Sequence, residues 1–354
     1  MPRPMAFTIK NRLREAAATI GTRDPLPELE PTIDRAFRLP EGDNRYSINN
    51  LTPGTTAFEA AYSARDPHSL RFTLEPAGPD APPPIRRDEA TREMRRLVAA
   101  NFGIDALRWF DGRSEEWRSM FGNPHLKYGA WFGTAYDRHG LESSKVYYEL
   151  RPGQLEALPR PLLHLAREAM DAMPLLMPLF TSIIAERDNG NQRLTFVHRG
   201  ALGLSDLQPL LEQLGLANKL PGIMQILGLA LGGRFDLPDQ AMLVGLGGTP
   251  QQPEVKIYVL LGMIPDLPPS FLSLLTLGLS ERPRELRGLE RWLMAYTPET
   301  VGFPGDFSVL SIQVTAEAPL RIGLYLRPVE FEVGALPTDA GTTSPEPSMY
   351  ESVW

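Results

Sequence analysis

Basic residues recur at one position in five strand-like segments of the sequence. They are Arg71, Lys145, Arg193, Lys256 and Arg321. Residues two apart lie on the same side of a β-strand, and the residue that follows each cation, which points to the opposite side, is apolar in all five segments. If the five segments share one surface, their cations converge on a site for a polyanion. A diphosphate is the obvious candidate, because arginine forks onto phosphate and lysine adds a point charge.

Three tyrosines, Tyr147, Tyr258 and Tyr325, fall on the same side of these segments. A tyrosine ring attracts a cation through its quadrupole, by about 2 kcal/mol in a dry site. The chain has only five lysines, and two of them, Lys145 and Lys256, take equivalent positions on this surface. An allylic diphosphate, which ionises to a carbocation, is a ligand class that suits both the cations and the aromatic rings.

Five β-hairpins are predicted to position these residues, and each contributes one basic strand. The hairpins are predicted over 56–76, 128–150, 180–199, 240–261 and 306–328. The pair Asn189-Gly190 is a strong hairpin-turn signal in the third of them. Apolar residues at helical spacing separate the hairpins, and they predict helices over 87–103, 159–176, 204–215, 217–233 and 280–296. The order of hairpin and helices therefore repeats five times.

A sheet of about ten antiparallel strands with one apolar face has two options. It stays open with its polar face in water, or it closes into a barrel with that face lining a lumen. Lysine and arginine are ordinary on a solvated face, but the tyrosines on the same side favour closure. We therefore predict an α+β fold, a closed barrel of five hairpin-plus-helix repeats ringed by helices. The barrel is predicted to form a single domain over 1–332, followed by a mobile, Pro-rich tail over 333–354.

Composition and motifs limit the other function classes. The net charge of −7 does not suggest a nucleic-acid binder, and the absence of cysteine removes thiolate chemistry and Cys-ligated zinc. No apolar run is long enough to span a bilayer and no signal peptide is evident, so we expect a cytoplasmic protein. The histidines lack metal-binding spacing, and no aspartate-rich magnesium motif, nucleotide-binding loop or hydrolase elbow occurs.

Several short motifs resemble the aromatic prenyltransferases of the dimethylallyltryptophan synthase type. They are "FEAAYS" before "LRFTLEPAG", then "SKVYYEL" and "VKIYVL", and the similarity covers the five hairpins, roughly residues 40–330. The resemblance implies the ABBA fold, a barrel of ten antiparallel strands ringed by helices. It also implies transfer of a prenyl group, dimethylallyl in the first instance, from an allylic diphosphate to an electron-rich aromatic acceptor such as indole or tryptophan. The chain is shorter than fungal members and is similar in length to bacterial ones.

The resemblance assigns roles to individual residues. Glu59 matches the glutamate that binds the indole N–H, and Arg71 matches a diphosphate ligand. The two Lys-x-Tyr motifs match Lys145 with Tyr147 and Lys256 with Tyr258. The equivalent strand positions add Arg193 and Arg321 to the predicted diphosphate site. The three tyrosines form the predicted carbocation shield. Lys145 and Glu149 are the candidate bases for the ring proton. We expect that transfer requires no metal, including magnesium, and no other cofactor. The expected partners are small molecules, the prenyl diphosphate and the acceptor.

The sequence departs from the family pattern at three places. The third hairpin has Asn191, Arg193 and Thr195 where many members have Arg-x-Lys-x-Tyr, Gly323 replaces a larger residue, and Glu149 stands where fungal members often have tyrosine. The acceptor therefore stays open, with a peptide or a phenolic metabolite as alternatives. A non-catalytic barrel that binds a phosphorylated or anionic lipid ligand is an alternative from another class. The oligomeric state cannot be inferred from the sequence.

Overall fold

A closed barrel of ten antiparallel strands forms the centre of the computed structural model, which describes residues 3–118, 126–151 and 153–333. The first six strands are Phe58–Ser63 (β1), Leu70–Leu74 (β2), Ala130–Asp137 (β3), Gly140–Glu149 (β4), Leu176–Glu186 (β5) and Gly190–His198 (β6). After a short separate pair, Leu202–Gly203 (β7) and Asp236–Leu237 (β8), the barrel continues with Met242–Thr249 (β9), Gln252–Leu260 (β10), Gly305–Val314 (β11) and Arg321–Pro328 (β12).

Strand order follows the chain, and the first and last strands close the barrel. Each barrel strand pairs with the next, β6 pairs with β9, and β12 pairs with β1 through Ala60–Leu326 to Ser63–Gly323. The prediction of a closed barrel is confirmed. The polar face of the sheet is therefore the wall of a lumen.

The outward face of the barrel forms the main hydrophobic core. The apolar residue after each basic residue is buried there: Phe72, Val146, Leu194, Ile257 and Ile322. Aromatic contacts reinforce this layer, since the ring of Phe58 stacks on Phe72 at 5.2 Å and meets Phe331 edge-on at 5.0 Å. Burial of this face against helices holds the opposite face inward.

The helices lie between the hairpins and before the first strand. They are Met5–Ile20 (α1), Leu26–Ala36 (α2), Pro83–Asn101 (α3), Gly103–Arg118 (α4), Arg160–Ala172 (α5), Gln208–Gln213 (α6), Leu220–Ala230 (α7), Phe271–Gly278 (α8) and Pro283–Tyr296 (α9). The predicted stop at Gly103 is a break between two helices, because Gly103 has a φ of +87° and α4 begins there. Helices α1, α2, α4 and α8 were not predicted from the sequence.

The barrel has two different ends. We call the end that carries the five hairpin turns the turn end, and the end where the hairpins join the helices the helix end. Among the described residues, no helix is long and apolar enough to cross a membrane. Residues 334–354 of the predicted tail lie outside the described residues, and the single-domain boundary at 332 stays a prediction.

Gly129 provides a test of the contact between the barrel and α3. Its φ is +80°, and a Cβ atom there would lie 1.9 Å from the carbonyl oxygen of Pro83. We expect Gly129→Ala to lower the free energy of unfolding by about 3 kcal/mol, because it combines left-handed strain with a clash against backbone. Urea denaturation measures the change.

The matched control for this prediction is Gly112→Ala in α4. A Cβ at Gly112 meets nothing within 4 Å, so alanine should raise the free energy of unfolding by about 0.5–1 kcal/mol through its helix propensity. Equal stability of the two variants would contradict the close approach of Gly129 to α3.

Candidate active site

A charged cavity of about 170 Å³ lies in the lumen at the turn end. Four of the five predicted cations line it: Arg71, Lys145, Arg193 and Lys256. Tyr325 lines it as well. The register of the strands explains this convergence, because Lys145 lies opposite Gly133 and Lys256 lies opposite Gly245, all facing inward.

Two arginines of the cavity, Arg71 and Arg193, are each bound to carboxylates on one side. Arg71 Nη2 donates to Glu142 Oε1 at 2.9 Å and to Asp66 Oδ2 at 3.1 Å. Arg193 Nη2 donates to Glu254. The Nε atoms of both arginines are buried and have no hydrogen-bond acceptor among the described residues. Each guanidinium therefore keeps one donor of its fork available for a further anion.

Lys256 lies between two of the predicted tyrosines. Its Nζ donates to the hydroxyl of Tyr325 at 2.8 Å and lies 4.8 Å from the ring centre of Tyr258 and 5.3 Å from that of Tyr325. Burial lowers the pKa of Lys256, and burial raises the pKa of Tyr258 to about 12. The phenols are therefore neutral near pH 7, and their rings can stabilise a cation.

Lys145 forms the corresponding group with Tyr147 on β4, four strands away from β10 around the barrel. Its Nζ lies 5.1 Å from the Tyr147 ring centre. The lysine stem lies across Gly133, where a Cβ atom would be 2.8 Å from Lys145 Cε. Burial, aided by the charges of Arg71 and Arg193, lowers the pKa of Lys145 to about 7. Its charge therefore depends on the anions that occupy the cavity.

Glu59 lies inside the lumen and is 9% exposed. Its Oε1 accepts a hydrogen bond from Ser308 Oγ at 2.6 Å. Burial raises the pKa of Glu59, while Ser308 and the charges of Arg327, Lys145 and Lys256 oppose the rise. This carboxyl group is a hydrogen-bond acceptor inside the lumen, close enough to Lys145 and Lys256 for their charges to act on it.

Apolar side chains line the lumen beyond the charged cavity. They form a cluster separate from the main core: Tyr128, Trp131, Leu179, Phe180, Val197 and Leu243. Tyr147 and Tyr258 pack against this cluster. The tyrosines therefore separate the charged part of the lumen from an apolar part.

We call this apolar cluster the floor of the lumen. Trp131 belongs to the floor and is held in place by a buried network. Its Nε1 donates to Glu75 Oε1 at 3.2 Å, and Glu75 pairs with Arg86 at 3.0 Å. The Trp131 ring stacks on Tyr128 at 4.3 Å. Because its ring and its N–H both have partners, Trp131 is a fixed part of the wall.

Two predicted site residues do not join the others. Arg321 Nη1 donates to the carbonyl of Ala64 at 3.4 Å, and Arg321 does not line the cavity. Glu149 accepts hydrogen bonds from the backbone N–H groups of 127–129 at 2.9–3.0 Å. Its carboxylate therefore holds the chain that leads into β3.

Sequence reasoning missed several residues of the site. Asp66, Glu142, Glu186 and Gln313 line the cavity. Glu142 and Ser308 lie at register shifts in β4 and β11, so a strict two-residue period does not assign them to the lumen. Glu254 was detectable, because it precedes Lys256 by two residues on the same face.

Comparisons with solved structures support this fold over nearly the whole chain. A 6-dimethylallyl tryptophan synthase is 15% identical with a TM-score of 0.70, covering 94% of this chain and 98% of its own. A 6-dimethylallyltryptophan synthase from Micromonospora olivasterospora, in complex with DMASPP and Trp, is 15% identical with a TM-score of 0.67, covering 92% and 97%. A 5-dimethylallyl tryptophan synthase from Streptomyces coelicolor, also with DMASPP and Trp, is 14% identical with a TM-score of 0.64, covering 98% and 100%.

No family model and no curated protein matches the sequence. The likeness to known proteins therefore lies in the three-dimensional arrangement, which includes the strand count, the closure and the surrounding helices. This chain has the ABBA barrel fold of the dimethylallyltryptophan synthase type of aromatic prenyltransferase.

Proposed function

We propose that the protein is an aromatic prenyltransferase that moves a dimethylallyl group from an allylic diphosphate to an indole, with tryptophan as the first acceptor to test. The observation that carries the proposal is a cavity lined by two arginines and two lysines. The Nε donors of the arginines have no acceptor within the described part of the chain, and each lysine lies near a tyrosine ring. The solved structures of similar fold that hold DMASPP and Trp support the same pair of substrates. Cytoplasmic localisation stays a prediction from the sequence.

The first chemical step breaks the bond between the allylic carbon and the diphosphate oxygen. The electron pair leaves with the diphosphate, so negative charge develops where Arg71, Arg193 and Lys256 can meet it. Cations already fixed in a low-dielectric site lower the barrier without reorganising during the reaction. We propose that these protein cations do the work of a metal at the leaving group.

The second requirement is to keep water from the allyl cation. Tyr325 lines the charged cavity, and Tyr147 and Tyr258 pack against the apolar floor. The rings of Tyr258 and Tyr325 lie 6.3 Å apart. Their ring faces stabilise positive charge, and the apolar residues behind them exclude water. An allyl group that extends from the diphosphate towards the floor would lie among these rings.

The aromatic ring then attacks the cation and forms the carbon–carbon bond. We propose that Glu59 accepts a hydrogen bond from the indole N–H and stabilises the positive charge that the ring acquires. Ser308 holds the Glu59 carboxyl group in position. The floor residues around Trp131 offer an apolar surface for the indole.

The ring proton must finally leave. Glu149 is occupied by backbone N–H groups outside the cavity. Lys145 faces the cavity, but a bound diphosphate favours its protonated form, so it cannot accept a proton in the same step. We therefore propose that an oxygen of the released diphosphate accepts the ring proton.

Incubation with dimethylallyl diphosphate and tryptophan, in buffer containing EDTA, tests the function. Mass spectrometry should show tryptophan with one added dimethylallyl group, and Arg71→Ala should lower kcat/KM by about 100-fold, the scale for loss of one charge-stabilising donor. Arg108→Ala is the control, because Arg108 is a highly exposed residue of α4. Diphosphate binding with no transfer to tryptophan, an indole, a tryptophan dipeptide or a phenol would support the non-catalytic barrel instead.

Glu59→Gln tests the acceptor role. The amide keeps the size of the side chain but removes its charge, so we expect kcat/KM for the acceptor to fall about 10–100-fold while the KM for the donor changes little. Ser308→Ala should cause a smaller loss of the same kind. A fall confined to donor binding would contradict the assignment of Glu59 to the acceptor.

The pH dependence of donor binding tests Lys145. With a pKa of about 7 in the empty barrel, Lys145 is cationic below that pH and neutral above it. The affinity for the diphosphate should therefore fall as the pH rises through 7, and binding at pH 7 should take up protons. Calorimetry with inorganic diphosphate measures both effects.

Lys145→Gln is the control for the titration of the diphosphate itself. The part of the pH dependence that Lys145 causes should be absent in this variant. If wild type and variant show the same pH dependence, or if wild-type affinity rises with pH relative to the variant, the cationic role of Lys145 is wrong.

A further inference from the structure

We propose that Glu142 and Glu254 are competing anions of the donor site, which hold Arg71 and Arg193 in the empty barrel and release them to diphosphate. The inference rests on the proposed function, because it concerns how that cavity accepts and releases its anion. It assigns a role to two carboxylates that would otherwise oppose the binding of a negatively charged substrate.

The first argument is the way each carboxylate holds its arginine. Glu142 binds Arg71 through Nη2 at 2.9 and 3.1 Å, and Glu254 binds Arg193 through Nη2. The Nε atom, which shares the same edge of the guanidinium, has no acceptor among the described residues in either arginine. Nη2 carries two N–H donors. In Arg71, Asp66 and Glu142 both accept from Nη2, so a phosphate that binds the Nε and Nη2 donors together displaces one of these carboxylates. In Arg193, a phosphate bound in this way shares Nη2 with Glu254, and the repulsion between the two anions favours departure of the glutamate.

The second argument is that each glutamate has another partner to retain it after the exchange. Ser69 Oγ donates to Glu142 Oε2 at 2.6 Å. Gln313 Nε2 donates to Glu254 Oε1 at 2.8 Å. Neither carboxylate is therefore left without a hydrogen bond when its arginine turns to the ligand, which limits the cost of the exchange.

The third argument is the location of the two pairs at the mouth of the barrel. The Glu142 side chain is 25% exposed and the Glu254 side chain 15%. Glu254 and Arg193 also line a second cavity of about 490 Å³ that adjoins the first. Water can reach a displaced carboxylate here, so its charge need not be buried unpaired.

The exchange acts equally on the donor and on the diphosphate product. It is therefore uniform binding, which sets affinity without changing the barrier of the chemical step. Weaker binding of the product diphosphate speeds its release. The two glutamates thus lower the affinity for the donor and increase the rate of product release.

The test measures binding of inorganic diphosphate by calorimetry in EDTA at pH 7, with wild type, Glu142→Gln and Glu254→Gln. We expect Glu254→Gln to bind about tenfold tighter, since a like charge is removed from a poorly solvated site. Glu142→Gln should bind about threefold tighter, because Asp66 stays on Arg71. The control is Glu290→Gln on the exposed face of α9, which carries the same charge change and should bind as wild type does.

The sign of the effect decides the question. Were the glutamates needed only to position the arginines, the glutamine variants would bind diphosphate more weakly than wild type. Weaker or unchanged affinity in both variants overturns the proposal. Thermal unfolding shows whether each variant is folded. If Glu254→Gln does not fold, the test relies on Glu142→Gln, which changes the more exposed pair.

These measurements need no turnover, so they separate this proposal from the proposed function. Tighter diphosphate binding in the variants, without prenyl transfer in wild type, would refute the transferase and leave the exchange standing. Prenyl transfer by wild type, with no gain in diphosphate affinity in the variants, would support the transferase and refute the exchange. Where transfer occurs, the KM for the donor and the inhibition constant of diphosphate should fall by the same factor.

Discussion

Closure of the sheet is the constraint on which the site depends. Because side chains alternate along a strand, burial of residues such as Phe72 and Ile257 in the outer core forces the intervening cations into the lumen. Four of these strand cations then meet in one small cavity, where they repel one another and lose hydration. The structure offsets this cost with carboxylates on the arginines and tyrosine rings on the lysines.

The two kinds of cation are stabilised in different ways, and this difference orders the lumen. Arg71 and Arg193 pair with carboxylates near the turn end, whereas Lys145 and Lys256 contact tyrosine rings deeper inside. The apolar floor around Trp131 follows. Charge thus decreases from the mouth inward, in the order that a ligand with an anionic head and an isoprenoid tail requires.

Much of this arrangement could be predicted from the alternation of inward-facing and outward-facing side chains along each strand. The period of two assigned Lys145 with Tyr147 and Lys256 with Tyr258 to one face, and the aromatic residues on that face argued for closure. Alternation failed where the strands are irregular: Glu142 and Ser308 lie at register shifts, whose positions depend on tertiary contacts. Alternation also does not show how far along the barrel axis a side chain lies. Arg321 is on an inward-facing strand position but binds a backbone carbonyl beside a turn. Glu149 is on an inward-facing position as well, but it binds the backbone N–H groups of a loop.

The seam between β1 and β12 joins the two ends of the barrel sequence. Glu59 and Ser308, which are 249 positions apart, touch only when that seam is formed. The hydrogen bond between Lys256 and Tyr325 likewise needs the last strand. During synthesis, a nascent chain emerging from the ribosome would carry unpaired strand edges until its final hairpin is released. The barrel therefore closes only at the end of synthesis, and chains that lack the last hairpin cannot form the chamber.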